Sequence, residues 1–184
     1  MKAKFNCWLA ALITGMLVCS PVPRAAETNA APVRIGVYDS RLLAYAQFWS
    51  DAQQRKLQEL VKAAKQAKDA GDTARTRELE TELKKEQDEN HLQVFSTAPV
   101  DNVLATMQDR IAEIHKSTGI VRLVSKWDEK ALNQFARAEQ VDVTDLMLRE
   151  FKLSERQMKV VEDLRNKKPL PLAKAQKLIR EGKL

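Results

Sequence analysis

The spacing of apolar residues predicts a short strand followed by long helices. Apolar and polar residues alternate from Arg34 to Asp39, with Ile35 and Val37 on one face, which is typical of a β-strand. From Leu42 to about Lys68 there is no proline or glycine. Within this stretch the apolar residues are spaced by three, four and three positions, which predicts a helix with one apolar seam; they are Leu57, Leu60, Ala64 and Ala67.

A break at Gly71 predicts that this helix turns back on a second one. Gly71 suits the position after a helix end, and Asp72 or Thr73 can cap the next helix, which runs to about Val94. Residues 51–68 carry five basic and two acidic side chains, and residues 72–89 carry four basic and seven acidic ones. These complementary charges favour an antiparallel pair. The alternative is one long solvated helix.

The second half of the chain alternates helices with short strands. After Pro99 an apolar repeat predicts a helix that ends at Gly119; its members are Val100, Val103 or Leu104, Met107, Ile111 and Ile114. Residues 120–127 read as a second strand, with Ile120, Leu123 and Val124 as its apolar positions, and residues 141–143 as a short third one. A helix from Thr144 to Phe151 follows, and Ser154 with Gln157 predicts a capping box for another. The expected fold class is α+β and mostly helical, with a small β body and a long antiparallel helical hairpin over about residues 42–118.

The first 26 residues have the pattern of a secretion signal. Lys2 and Lys4 precede an uncharged run from Phe5 to Pro23, and small residues follow. Cleavage is expected between Ala25 and Ala31; the alternative is an uncleaved anchor. Residues 27–33 then read as a flexible lead-in, and the mature protein is expected in the periplasm.

Composition limits the chemistry of the mature chain. Both cysteines, Cys7 and Cys19, lie in the predicted signal, so the mature chain has neither disulfides nor thiol chemistry. Removal of the signal also takes away Lys2, Lys4 and Arg24, which lowers the formal net charge from +6 to +3. The two histidines, His91 and His115, are 24 positions apart, and no common catalytic or phosphate-binding motif occurs. We therefore expect no enzyme, no cofactor and no metal site.

The order of these elements resembles the OmpH-like (Skp) family. The resemblance rests on residues 34–43 (RIGVYDSRLL), the charged hairpin, the helix into residues 119–124 (GIVRLV), and residues 141–145 (VDVTD) before a helix. It covers about residues 34–151 and leaves residues 152–184 as a basic helical extension. Family members form trimers with a small β body and helical arms, and they hold unfolded outer-membrane proteins in the periplasm. The resemblance therefore implies a chaperone that works without ATP; the alternative is a structural coiled-coil protein of the envelope with no client.

Three groups of residues are candidates for binding. Tyr45, Phe48 and Trp49 either contact apolar client segments or plug the base of the arm, and Trp127 reads as a similar plug. The strands around Ile35 and Val37, and around Ile120, Leu123 and Val124, have few expected partners within the chain. They are therefore expected to pair with copies in a homo-oligomer, a trimer if the resemblance holds. Residues 165–183 carry seven basic side chains and one acid, so this segment either contacts a membrane surface or is simply solvated. Nucleic acid is not expected, because no aromatic residues alternate with these charges.

Overall fold

The computed structural model describes residues 32–184. The predicted signal peptide (1–26) and most of the lead-in (27–33) therefore lie outside the described residues. Within residues 32–184 the chain is mostly helical and holds one three-stranded sheet. The strands are β1 (Arg34–Tyr38), β2 (Arg122–Ser125) and β3 (Glu139–Asp142). The helices are α1 (Ser40–Phe48), α2 (Asp51–Asp69), α3 (Thr73–Phe95), α4 (Asp101–Ala105), α5 (Gln108–Thr118), α6 (Glu129–Gln134), α7 (Thr144–Leu148), α8 (Glu155–Arg165) and α9 (Leu172–Arg180).

The sheet is parallel, with β1 in the centre between β2 and β3. Gly36 of β1 lies opposite Leu123 on one side and Val141 on the other. A Cβ atom at Gly36 would lie 2.5 Å from Ile120 Cδ1 and 2.9 Å from Leu123 Cδ2. The absence of a side chain at this position therefore allows apolar side chains to pack directly on the strand.

The helix predicted from Leu42 to Lys68 is wrong in one respect, because it is two helices. α1 ends at Phe48. Ser50 caps the start of α2, and its hydroxyl accepts a hydrogen bond of 3.3 Å from the Gln53 amide. A serine cap followed by Asp51 in the first turn is a common helix start. The helix predicted after Pro99 is also two, since α4 ends at Ala105 and α5 begins at Gln108.

The predicted turn at Gly71 is confirmed. Gly71 has a φ of 74° and follows the end of α2. The Asp72 amide donates to the Ala67 carbonyl over 2.9 Å, and the Gly71 amide donates to the Lys68 carbonyl over 3.1 Å. These two bonds form a Schellman motif, which closes a helix with a left-handed residue. The Asp72 side chain then caps α3 by accepting from the Arg75 amide over 2.9 Å. The alternative of one long solvated helix is therefore wrong.

The segment after Phe151 belongs to the same compact unit as the sheet. α8 packs against α1, and α9 packs against α3. The side chains of Val161 in α8 and Ala175 in α9 are fully buried. The predicted capping box that starts α8 at Ser154 is confirmed. The extension thus completes the hydrophobic core that β1 and α1 begin.

Candidate functional site

A buried charge network fixes the carboxyl ends of β1 and β2. Asp39 follows β1, and only 1% of its surface and 1% of that of Arg41 are exposed. Arg41 Nη2 lies 3.1 Å from Asp39 Oδ2, and the same nitrogen donates to the Leu164 carbonyl over 3.1 Å. From the end of β2, Lys126 Nζ lies 2.7 Å from Asp39 Oδ2, and Trp127 Nε1 donates to Asp39 Oδ1 over 2.8 Å. One carboxylate therefore links the sheet, α1 and the end of α8.

The partners of Asp39 stabilise its charged form. Burial by itself raises the pKa of this carboxyl group, but hydrogen bonds from Arg41, Lys126 and Trp127 and the charge of Arg41 outweigh it, so the pKa lies below its ordinary value of 3.8. The guanidinium of Arg41 also lies 4.6 Å from the centre of the Trp127 ring. Every charge in the network is paired, and this suits a structural role better than proton transfer.

The three aromatic residues predicted at the start of the helical arm do come together. The ring centres of Phe48 and Trp49 are 5.2 Å apart, edge to face, and those of Tyr45 and Trp49 are 6.5 Å apart. Tyr45 packs against the main core, and burial raises the pKa of its hydroxyl group despite the nearby charge of Arg156. The Trp49 side chain, by contrast, is 43% exposed. The cluster thus extends from the core to the surface, at the junction of α1 and α2.

Polar contacts hold α2 against α3 at the end next to this cluster. Glu86 of α3 accepts from Lys56 Nζ over 2.6 Å and from Gln53 Nε2 over 2.9 Å. Burial raises the pKa of Glu86, but these two bonds and the charge of Lys56 lower it below its ordinary value. Toward the turn, Leu79 is almost fully buried. The pair is therefore fastened near both of its ends.

Between these ends a groove with apolar residues runs along the two helices and is open to solvent. A groove of about 430 Å³ is lined by Leu57, Val61 and Leu83, together with three polar residues of α3. Val61 is 56% exposed, and Leu57 and Leu83 are only half-buried. We call Leu57, Val61 and Leu83 the arm surface. It is an apolar groove bordered by the charged side chains of Glu80 and Lys84.

The predicted strand residues lie within the body of the single chain. Ile35, Ile120 and Val124 are buried, whereas Val37 and Leu123 are half-buried. The expectation that these strands have few partners within the chain is wrong, because β1 pairs on both sides and helices cover the sheet. Their apolar side chains are thus largely covered without a second copy.

The basic side chains of the C-terminal segment lie on and around α9. Lys177 and Lys183 each form an ion pair with Glu181, at 3.8 Å and 2.8 Å. The Leu184 carbonyl lies 3.1 Å from His91 Nδ1 of α3. The segment is therefore anchored along one side and keeps its cations on the other.

Sequence reasoning missed Arg41 and Lys126, the two cations of the buried network. Each follows a strand end by a few positions, and in a parallel sheet such positions meet at one edge. The sequence patterns did not show that the strands are parallel, so this signal could not be used. Trp127, expected as a plug, also donates a hydrogen bond to Asp39.

The described residues contain no group of three or more His, Cys, Asp or Glu placed to hold a metal ion. Among the helices of residues 32–184, none is both long and apolar enough to cross a membrane. Comparison of the chain with family models, with curated proteins and with solved structures finds no match.

Proposed function

We propose that the protein is a periplasmic holdase-type chaperone that binds unfolded or outer-membrane-destined proteins without ATP. The observation that carries this proposal is the arm surface, an apolar strip left uncovered between two helices that are fastened near both ends. Exposed apolar side chains in a contiguous strip mark sites of interaction. The resemblance of residues 34–151 to the OmpH-like pattern supports the same proposal.

In this proposal α2 and α3 form the antiparallel coiled-coil arm of an OmpH-like fold. Lys56 and Glu86 set the register of the arm, and Leu57 and Val61 contact the apolar segments of a client. Trp49 extends the contact toward the body, while Tyr45 plugs the base. An extended apolar strip suits an unfolded chain, because such a chain offers many short apolar segments and no fixed shape.

The proposed assembly is a homo-oligomer, a trimer by the family resemblance, with the arm surfaces of its copies facing a shared space. Within residues 32–184, β2 and β3 pair with a strand on one side only, which leaves edges that copies can use. The cations of α9 are proposed to contact acidic lipid headgroups. Sedimentation of the purified protein with anionic vesicles, and with neutral vesicles as the control, tests this contact.

The central test is an aggregation assay with a matched pair of variants. An outer-membrane porin unfolded in urea is diluted into buffer with the mature protein at stoichiometric amounts, and light scattering is followed. We expect the wild type to suppress scattering. Val61→Glu places a charge in the arm surface. Because burial of a valine contributes about 1.5–3 kcal/mol, about tenfold more of this variant should be needed to suppress the scattering equally.

Val160→Glu is the control. Val160 lies on α8 and is 37% exposed, so the change adds the same charge to an exposed valine of a helix outside the arm. This variant should protect the porin as the wild type does. Equal loss in both variants would assign the effect to net charge, and no suppression by the wild type would favour the structural envelope protein instead.

A further inference from the structure

A cavity of about 390 Å³ lies beside β2, away from the arm surface. It is bounded by the carboxyl end of β1, by the segment from Thr97 to Leu104, and by residues that follow β2. Its volume is within the range of small-ligand sites, about 300–1,000 Å³. None of its lining residues belongs to α2 or α3, so it is independent of the proposed chaperone function.

The cavity has acidic groups at its mouth and an aliphatic part in its lining. Asp101, in the first turn of α4, and Asp128, which caps α6, are both exposed and both line it. Asp128 uses Oδ1 to accept from the Ala131 amide over 2.9 Å, and Asp101 has no hydrogen-bond partner within residues 32–184. The apolar part of the lining is aliphatic and includes Ala98, Val100, Leu104, Leu123 and Val124, beside the hydroxyl groups of Ser40, Thr97 and Ser125.

A hydroxyl group in the lining also has no hydrogen-bond partner within residues 32–184. Tyr38, the last residue of β1, is only 6% exposed, and its hydroxyl makes no hydrogen bond within residues 32–184. Burial first, and then the charges of Asp101 and Asp128, raise its pKa to about 12. The phenol is therefore neutral at physiological pH and offers an oxygen acceptor close to two carboxylates. Most of the Tyr38 side chain is covered, while its hydroxyl oxygen stays accessible to a ligand in the cavity.

Neither Asp101 nor Asp128 forms an ion pair with a cation of residues 32–184. Lys126 lies 2.7 Å from Asp39, with which Arg41 is also paired. Arg122 contributes to the lining, but its guanidinium carbon lies 5.6 Å from the ring centre of Phe135, a residue outside the lining. The two carboxylates at the mouth are thus left for a ligand of positive charge.

We propose that this cavity is a binding site for an alkylammonium group, an aliphatic stem that ends in a primary amine. The ammonium group has three donors, which match the three acceptors Asp101, Asp128 and Tyr38. The stem then packs against Val100 and Leu104 in the apolar part.

Such an amine is either free or the side chain of a lysine in a peptide, and the probes separate these sources. The protein, expressed with its own N-terminal segment and purified as the cell delivers it, is titrated with n-butylamine and with Nα-acetyl-lysine methylamide by calorimetry. Tighter binding of the capped lysine assigns the site to peptides; equal or tighter binding of butylamine assigns it to free amines. Nα-acetyl-norleucine methylamide, which lacks the ammonium group, should bind at least about tenfold more weakly than the capped lysine.

Variants test the acceptors. Asp101→Asn and Asp128→Asn keep the shape, and asparagine still caps α6. Each should weaken amine binding about tenfold, and Tyr38→Phe should weaken it several-fold. Asp109→Asn is the control, because Asp109 also lies in the first turn of a helix, α5, and does not line the cavity.

The proposal is overturned if no amine binds, if the norleucine compound binds as well as the capped lysine, or if Asp101→Asn and Asp109→Asn behave alike. Competition by calcium at equal concentration would likewise overturn it in favour of a metal site. The melting temperature of each variant shows that it is folded. If Tyr38→Phe fails to fold, the two aspartate variants decide the outcome.

Discussion

Removal of the Arg41 guanidinium should destabilise the protein more than any change at an exposed ion pair. Arg41 is 1% exposed and holds the equally buried Asp39, so Arg41→Met leaves the carboxylate with Lys126, Trp127 and the backbone amide of residue 41. It also leaves the Leu164 carbonyl without its donor. Removal of one partner from a buried ion pair costs about 3–5 kcal/mol, and the remaining Lys126 favours the lower end of that range.

Urea unfolding measures this loss directly. With a denaturant slope of about 1–3 kcal/mol per molar urea, a loss of about 3 kcal/mol lowers the midpoint by at least about 1 M. Arg75→Met is the matched control, because Arg75 forms its ion pair with Glu78 on the surface of α3. This control should leave the midpoint unchanged. An Arg41→Met midpoint equal to that of the control would refute a stabilising role for the network.

The pH dependence of the same difference gives a second check. Because the pKa of Asp39 is depressed in the folded state, its contribution to stability is full above the unfolded value of about 3.9 and is lost as the pH falls through the folded value. In Arg41→Met the carboxyl group lacks the partner that lowers its pKa most. Its protonation at low pH therefore removes a poorly paired buried charge from the variant. The difference in the free energy of unfolding between the wild type and Arg41→Met should therefore become smaller as the pH falls from 7 to 3. An equal difference at both pH values would mean that Arg41 acts through packing instead of charge.

Three further changes test the packing of the body and the turn, each by urea unfolding. Gly36→Ala should cost about 1–3 kcal/mol, because its Cβ would lie 2.5 Å from Ile120 Cδ1; no loss would mean that the sheet can shift to make room. Gly71→Val should cost about 1–2 kcal/mol from backbone strain alone, since its φ is 74° and no atom lies within 4 Å of the new Cβ; unchanged stability would refute the left-handed turn. Leu164→Ala should cost about 2–5 kcal/mol if α8 completes the core, and a cost below about 0.5 kcal/mol would mean that α8 is only loosely attached.

Local signals in the sequence were reliable where one residue decides the backbone. Gly71 and Gly119 both take positive φ at helix ends, and Ser154 forms its capping box as predicted. These features depend on residues no more than a few positions away, so the pattern contains all the information they need. The same holds for the inner face of the helices after Pro99, where Val103, Met107 and Ile114 are buried.

Features that depend on distant residues were not predictable in the same way. The sheet order brings β3 next to β1 although more than a hundred residues separate them, and no strand pattern specifies that neighbour. The burial of Arg41 was missed for a related reason. An arginine in the first turn of a helix is usually exposed, and only the arrival of Asp39, Lys126 and the Leu164 carbonyl at one place makes its burial favourable.

The location of buried and exposed apolar groups changes how self-association should be tested. If the strands pair with copies of themselves, a charge at Val37 or Val124 should lower the solution mass or prevent folding. In the structure Val124 is buried within the body, so Val124→Asp would unfold the chain whether or not copies associate. A lower solution mass after that change would therefore say little about an interface. Val61 of the arm surface is 56% exposed in the single chain, and a change there leaves the body intact. The solution mass of Val61→Glu, beside that of Val160→Glu, separates copies that meet through their arms from copies that meet through their strands.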